Sequence, residues 1–415
     1  SLAPLIARAG GEIAVRTIDA RLVPRTQWID QDATHAPEEL EIARLRASPD
    51  RTKQRWSFSS ITHHAAAANF DPDDPSLGDS GAGDEREIGE GEIGADTLLP
   101  GEGTGTGFDG MSKGADAGGP SSGAQYVPAA LTRLPAGAAF GTLVHSVLER
   151  VDFTSPDLGD LFGAGIDREL AWRSLDLTPR WESDADTRSG RQLLIDGLRT
   201  AVDTPLGALF GGVRLADIAP GDRLNEVSFD LRLAEAGRTA AVADIGRLMI
   251  AHLDPTDPLR TWATDLADGA IGLALAGHLT GSIDLVMRIP GPDSGARFVV
   301  ADYKTNALND RGRPPASDDY HPDHLAVAMA DHDYPLQAAL YAVALHRYLR
   351  WRLDGYDPVA HLGGVAYLFL RGMTGPAVAV SDGRPHGVFG WPLPPALVVA
   401  LSDLLDGRLV TTEAP

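Results

Sequence analysis

Apolar residues recur at helical intervals along Ala138–Val151, where Phe140, Val144, Val147, Leu148 and Val151 mark one face of an amphipathic helix. Similar patterns predict helices over Asp157–Trp172, Arg191–Val202, Thr239–Leu253 and Trp262–Leu275. Pro335, a residue suited to a first helical turn, opens another that runs to about Leu349, and a last one lies near Pro395–Leu405. Between these the period changes. Ile283, Leu285, Val286, Phe298, Val299 and Val300 give Gly281–Asn306 the character of two core strands, with Pro290-Gly291-Pro292 and Ser294-Gly295 as the turn. Glu226–Leu231 reads as a further strand.

The predicted hairpin carries charges that an apolar strand pair should not hold unpartnered. A strand period of two sets Asp302 and Lys304 on one face and Tyr303 on the other. Two readings of Asp284, Asp302 and Lys304 stand open. One is a structural ion pair. The other is a divalent cation held by the two aspartates, with Lys304 orienting or activating an attacking water.

His145 shares a helix face with Glu149, and Gln337 lies one turn before Tyr341. A lone histidine of this kind is ordinarily a surface or core residue, and a lone tyrosine is ordinary packing. A glutamate opening a strand, as Glu226 does, is a weak signal and reads as a supporting residue.

Three segments together resemble successive motifs of the RecB-type nuclease domain of the PD-(D/E)xK nuclease superfamily. They are Gly281-Ser282-Ile283-Asp284-Leu285-Val286, Asp302-Tyr303-Lys304-Thr305-Asn306, and Tyr334-Pro335-Leu336-Gln337-Ala338-Ala339-Leu340-Tyr341. Tyr341–Arg350 and Gly363–Gly372 extend the likeness, which spans about 137–372. The resemblance implies an α/β restriction-endonuclease-like core with a mixed central sheet and flanking helices. It implies metal ligation by His145, Asp284, Asp302 and the backbone carbonyl of Tyr303, and catalysis by Asp284, Asp302 and Lys304. Gln337, Tyr341 and Glu226 would support the site or touch DNA. The implied cofactor is Mg²⁺, with Mn²⁺ as a substitute in vitro.

Composition bounds this picture. The 415 residues carry a formal charge of −22 and no cysteine, so zinc thiolate sites and a cysteine-held iron–sulfur cluster are excluded and a cytoplasmic location is expected. Residues 71–126 hold 13 acidic against 2 basic residues and 15 glycines, which predicts an exposed, disordered insertion contributing half of that charge. The other half argues against a broad basic surface able to grip DNA unaided. Arg288, Arg297, Arg347, Arg350 and Arg352 are candidate phosphate contacts or ordinary solubilising and ion-paired residues.

There is no membrane-length apolar run, no basic leader at the start, and no GxxxxGK[ST] phosphate loop for ATP hydrolysis. The expected organisation is a helicase-side remnant and connector over 1–55, a lead-in over 56–70, the insertion over 71–126 and the nuclease domain over 127–415. The resemblance implies a fragment of a helicase–nuclease of the exodeoxyribonuclease V type. It would process double-strand DNA ends for recombinational repair, with RecC-like and RecD-like subunits and transfer of the product strand to RecA. The alternatives are a catalytically silent module that positions a helicase complex on DNA, and a structure-specific endonuclease or transposase-like enzyme sharing only the fold.

Overall fold

The computed structural model describes residues 54–62, 129–180, 186–234, 240–291, 295–309 and 315–408. The acidic stretch 71–126, and all but the last two residues of 1–55, lie outside them.

A short strand, β1 (Gln54–Trp56), precedes three helices, α1 (Ala138–Arg150), α2 (Leu158–Leu170) and α3 (Gly190–Val202). Ser189 caps α3, its hydroxyl accepting the Gln192 N–H at 3.2 Å. Next come β2 (Arg223–Arg232), β3 (Ala240–Ala241), α4 (Val242–His252), α5 (Arg260–Ala267) and β4 (Ala274–Leu275). The helices expected over Thr239–Leu253 and Trp262–Leu275 are therefore each shorter. Ala240–Ala241 and Ala274–Leu275 pair with each other instead, and Gly269, at a φ of 98°, takes the chain out of helical conformation after α5.

The hairpin follows as β5 (Gly277–Pro290) and β6 (Ala296–Lys304). Then come α6 (Pro322–Asp331), α7 (Tyr334–Arg352), α8 (Pro358–His361) and β7 (Leu362–Phe369). The described chain closes with β8 (Val380–Ser381), β9 (Arg384–Pro385), β10 (Val388–Trp391) and α9 (Pro395–Leu405).

The central sheet is mixed, in the order β1, β5, β6, β7, β10, with β2 also on β5. β5 pairs antiparallel with β2 along one edge. Its other edge is shared in tandem by β1 at Gly277–Leu279 and by β6 at Leu285–Pro290, leaving residues 280–284 of that edge outside either ladder. Both faces are covered over the inner strands β6 and β7, which read as nearly continuous apolar runs, whereas β2 alternates between half-buried and exposed positions. Phe140, Leu143 and Val144 of α1 pack with Leu285, Met287, Val299, Ala301 and Tyr303. Leu336, Leu340 and Val343 of α7 pack with Ile283, Val286, Val300 and Tyr367 on the other face. α7 is buried at every position from Tyr334 to His346, the pattern of a helix enclosed on all sides.

The alternation of faces reverses at one place. Val227 and Ile283, opposite each other, lie on the α7 side, whereas Leu285, two residues on, lies on the α1 side. The reversal falls at Glu226 and Asp284. Glu226 adopts a φ of 48°, a left-handed conformation costly for a residue with a side chain.

Candidate metal centre and active site

α1 delivers His145 to the open edge of β5. Its imidazole Nε2 lies 2.9 Å from the Tyr303 carbonyl oxygen and its Nδ1 lies 3.4 Å from Asp284 Oδ2. A neutral imidazole has one N–H; donating it to the carbonyl leaves the Nδ1 lone pair facing a carboxylate, which either a second proton or a cation would relieve. Glu226, directly across from Asp284, accepts the Ser282 hydroxyl at 2.8 Å. One donor atom each from His145, Glu226 and Asp284 lies within 4.8 Å of the others. This is the one such group among the described residues.

The two carboxyls are pushed in opposite directions. Burial opposes ionisation of Asp284, but the charge and hydrogen bond of His145, the Tyr303 N–H and the Lys304 ammonium outweigh it and hold the carboxyl below its ordinary range. Glu226 stays exposed, but partial desolvation by its neighbours, and then the negative charge of Asp284, raise its carboxyl above the ordinary range. Crowded carboxylates beside an imidazole form an acceptable donor set for Mg²⁺ or Mn²⁺, so the residues present fit such an ion.

Asp302 and Lys304 stand outside this donor group. They are 2% and 1% exposed, and Lys304 Nζ lies 2.9 Å from Asp302 Oδ2. Asp302 and Lys304 thus form a buried ion pair, while the donor group forms around Asp284. The two sets meet at the backbone of Tyr303, whose N–H donates to Asp284 and whose carbonyl contacts His145.

Gln337 and Tyr341 are buried. The Gln337 amide donates to the Tyr341 hydroxyl at 3.1 Å, and the Tyr367 hydroxyl donates to Gln337 Oε1 at 2.8 Å. Together they join α7 to β7. Of the arginines considered as phosphate contacts, Arg288 pairs with Asp222, and Arg347 pairs with Asp406 at 2.7 Å while also donating to the Ser402 carbonyl.

Three residues near the site received no role from the sequence. Tyr334 and Tyr367 place their rings 3.9 and 5.4 Å from Lys304 Nζ. Helical spacing could have flagged Tyr334, three and seven residues before Gln337 and Tyr341. Arg371 is fully buried and donates to the carbonyls of Thr305 at 2.7 Å, Leu134 at 3.0 Å and Pro135 at 2.6 Å, tying the loop before α1 to the end of β6. Nothing in its sequence neighbourhood announces that contact.

Comparison with known proteins agrees with this architecture. A family profile described as the PD-(D/E)XK nuclease superfamily matches residues 123–387. The chain is 46% identical over 297 residues to the RecBCD enzyme subunit RecB of Mycobacterium tuberculosis H37Rv, covering 70% of this chain and 26% of that protein. It is 44% identical over 294 residues to RecB of Mycolicibacterium smegmatis, covering 70% and 26%. To Escherichia coli K12 RecB it is 31% identical over 291 residues, covering 68% and 20%. The chain thus spans about a quarter of the length of the mycobacterial relatives it matches. No helix among the described residues is long and apolar enough to cross a membrane. With a mixed sheet between helical layers, a donor group of His145, Glu226 and Asp284 at its open edge and a family match over most of its length, the chain belongs to the PD-(D/E)XK nuclease superfamily and is closely related to bacterial RecB subunits.

Proposed function

We propose that this chain is the Mg²⁺-dependent nuclease domain of a cytoplasmic helicase–nuclease that processes double-strand DNA ends for recombinational repair. The observation that carries the reading is the convergence of His145, Glu226 and Asp284 donors within 4.8 Å, beside the buried Asp302–Lys304 pair. His145 and Asp284 are the ligands shared by this geometry and by the family pattern. Glu226 completes the donor group from β2, and the family pattern would add Asp302 and the Tyr303 carbonyl oxygen. When bound, a divalent cation supplies positive charge to the phosphoryl oxygens and acidifies water in its shell.

The chain's own residues do the rest. Asp284 fixes the Tyr303 peptide, so the strand presents Asp302 and Lys304 in a set orientation. Lys304 places an ammonium near the reacting phosphate, where it can orient water and offset developing charge. Gln337 and Tyr341 hold α7 against β7 behind it. By analogy with the RecBCD subunits it resembles, the chain would work with RecC-like and RecD-like partners and deliver a strand to RecA. A partner that threads DNA also accounts for a strongly acidic chain acting on a polyanion.

The test is cleavage of end-labelled linear DNA with and without Mg²⁺, comparing wild type with Asp302→Ala and Lys304→Ala. Both variants should fold and lose hydrolysis by about a thousandfold. Wild-type rates in both would remove the catalytic assignment.

A further inference from the structure

We propose that Tyr334 is a positioning residue for Lys304, its ring face holding the ammonium by a cation–π contact beside the Asp302 carboxylate. The inference rests on the nuclease reading for its catalytic consequence, but the contact itself stands on geometry.

Lys304 is 1% exposed, with Nζ 2.9 Å from Asp302 Oδ2 and 3.9 Å from the centre of the Tyr334 ring. A buried ammonium beside a carboxylate is drawn onto it in a low-dielectric interior. A π face within reach attracts the cation without supplying a hydrogen-bond acceptor that would fix its N–H groups. The ring can do this only if it is itself held, and it is. Tyr334 stacks on Tyr367 at 5.5 Å and 28°, and on His332 at 5.2 Å and 29°. Its hydroxyl accepts the Asn306 amide at 3.3 Å, and its carbonyl lies 3.3 Å from the Tyr367 hydroxyl.

The chain is also strained where it delivers the ring. Asp333, immediately before it, has a φ of 55°, and its carboxylate accepts the Trp262 indole N–H at 3.0 Å. Plain packing at the first turn of a buried helix is the competing account, and it is indifferent to the electron density of the ring.

The experiment replaces Tyr334 with phenylalanine and then with phenylalanine carrying one, two and three ring fluorines, which weakens the π face stepwise at nearly constant shape. Thermal midpoints and DNA cleavage in Mn²⁺ are measured for each. Tyr334→Phe should retain most of the rate. Across the fluorinated series kcat should fall by about tenfold while KM for DNA changes by less than about twofold. The thermal midpoint should decline in the same order, and the decline should vanish in a Lys304→Met background.

A flat midpoint series, or the same decline with Lys304→Met, would overturn the cation–π contact. A declining midpoint series with unchanged kcat would overturn the positioning role. Asp284→Ala, run in parallel, separates the two claims: if it cleaves like wild type, the nuclease reading fails while the midpoint series still decides the contact.

Discussion

Asp284 Oδ2 accepts the backbone N–H of Tyr303 at 2.8 Å, just past the last rung of the β5–β6 ladder, Leu285 opposite Ala301. A side chain thus replaces the next backbone bond. The strand end bearing Asp302 and Lys304 is fixed by the same carboxylate that faces His145. Structure and ion binding are therefore coupled through one residue.

That coupling predicts a separation of effects at Asp284. Asp284→Asn keeps an acceptor for the Tyr303 N–H but loses the charge, so folding stability should stay near wild type while Mn²⁺ affinity falls at least about tenfold. Asp284→Leu removes both and should also cost about 1–3 kcal/mol, because a backbone donor loses its partner. Urea denaturation and titration calorimetry on the two variants check this.

Glu226 is expected to trade stability for function. At a φ of 48° a glycine is more comfortable than a glutamate, so Glu226→Gly should be no less stable than wild type, with a gain of up to about 1 kcal/mol. Its Mn²⁺ affinity should nonetheless fall by about tenfold. Paired denaturation and binding curves would expose the trade, and a destabilised variant with intact affinity would contradict it.

Stability should depend on pH through His346, a residue remote in role from the catalytic group. Burial first, then the charges of Arg350 and Arg347, lower its pKa to about 4, and its Nδ1 lies 2.9 Å from the Tyr356 hydroxyl. The unfolded chain takes up this proton near pH 6.5 and the folded chain only near pH 4. Stability is therefore full above about 6.5 and is lost as pH falls toward 4. The loss from this residue should be at most about 2 kcal/mol after allowance for solvent screening. Chemical denaturation between those limits should show a shallower pH slope for His346→Gln than for wild type.

Arg371 should behave as a structural tie. Replacing it with methionine strands the carbonyls of Leu134, Pro135 and Thr305 and should cost about 3 kcal/mol. Hydrogen exchange should rise first around residues 129–150, ahead of global unfolding. Uniform exchange across the domain would argue against a local role.

Much of this was legible in the chain. The helical period of Phe140, Val144, Val147 and Leu148 marks α1, and β-branched runs around Asp284 and Asp302 mark the hairpin, because these patterns depend only on local spacing. The placing of His145 against Asp284 was implied by the family resemblance and not by spacing, since a lone histidine on a helix face is ordinarily a surface or core residue. What was not legible depends on non-local geometry. The left-handed backbone at Glu226 arises where two strands change faces together, which no single-strand pattern encodes. The approach of Tyr334 to Lys304 requires knowing that α7 covers the face carrying Val300 rather than the one carrying Tyr303. The helix boundaries after Ala267 and before Val242 moved because a two-residue ladder and a left-handed glycine outweighed helical spacing.

The most direct test of the account is anomalous diffraction from crystals of the chain grown with Mn²⁺. The account predicts a single strong peak about 2.0–2.6 Å from both the Asp284 carboxylate and the His145 ring, and its loss in Asp284→Ala. A peak that touches neither residue, or a crystal saturated with Mn²⁺ that shows none between them, would contradict it.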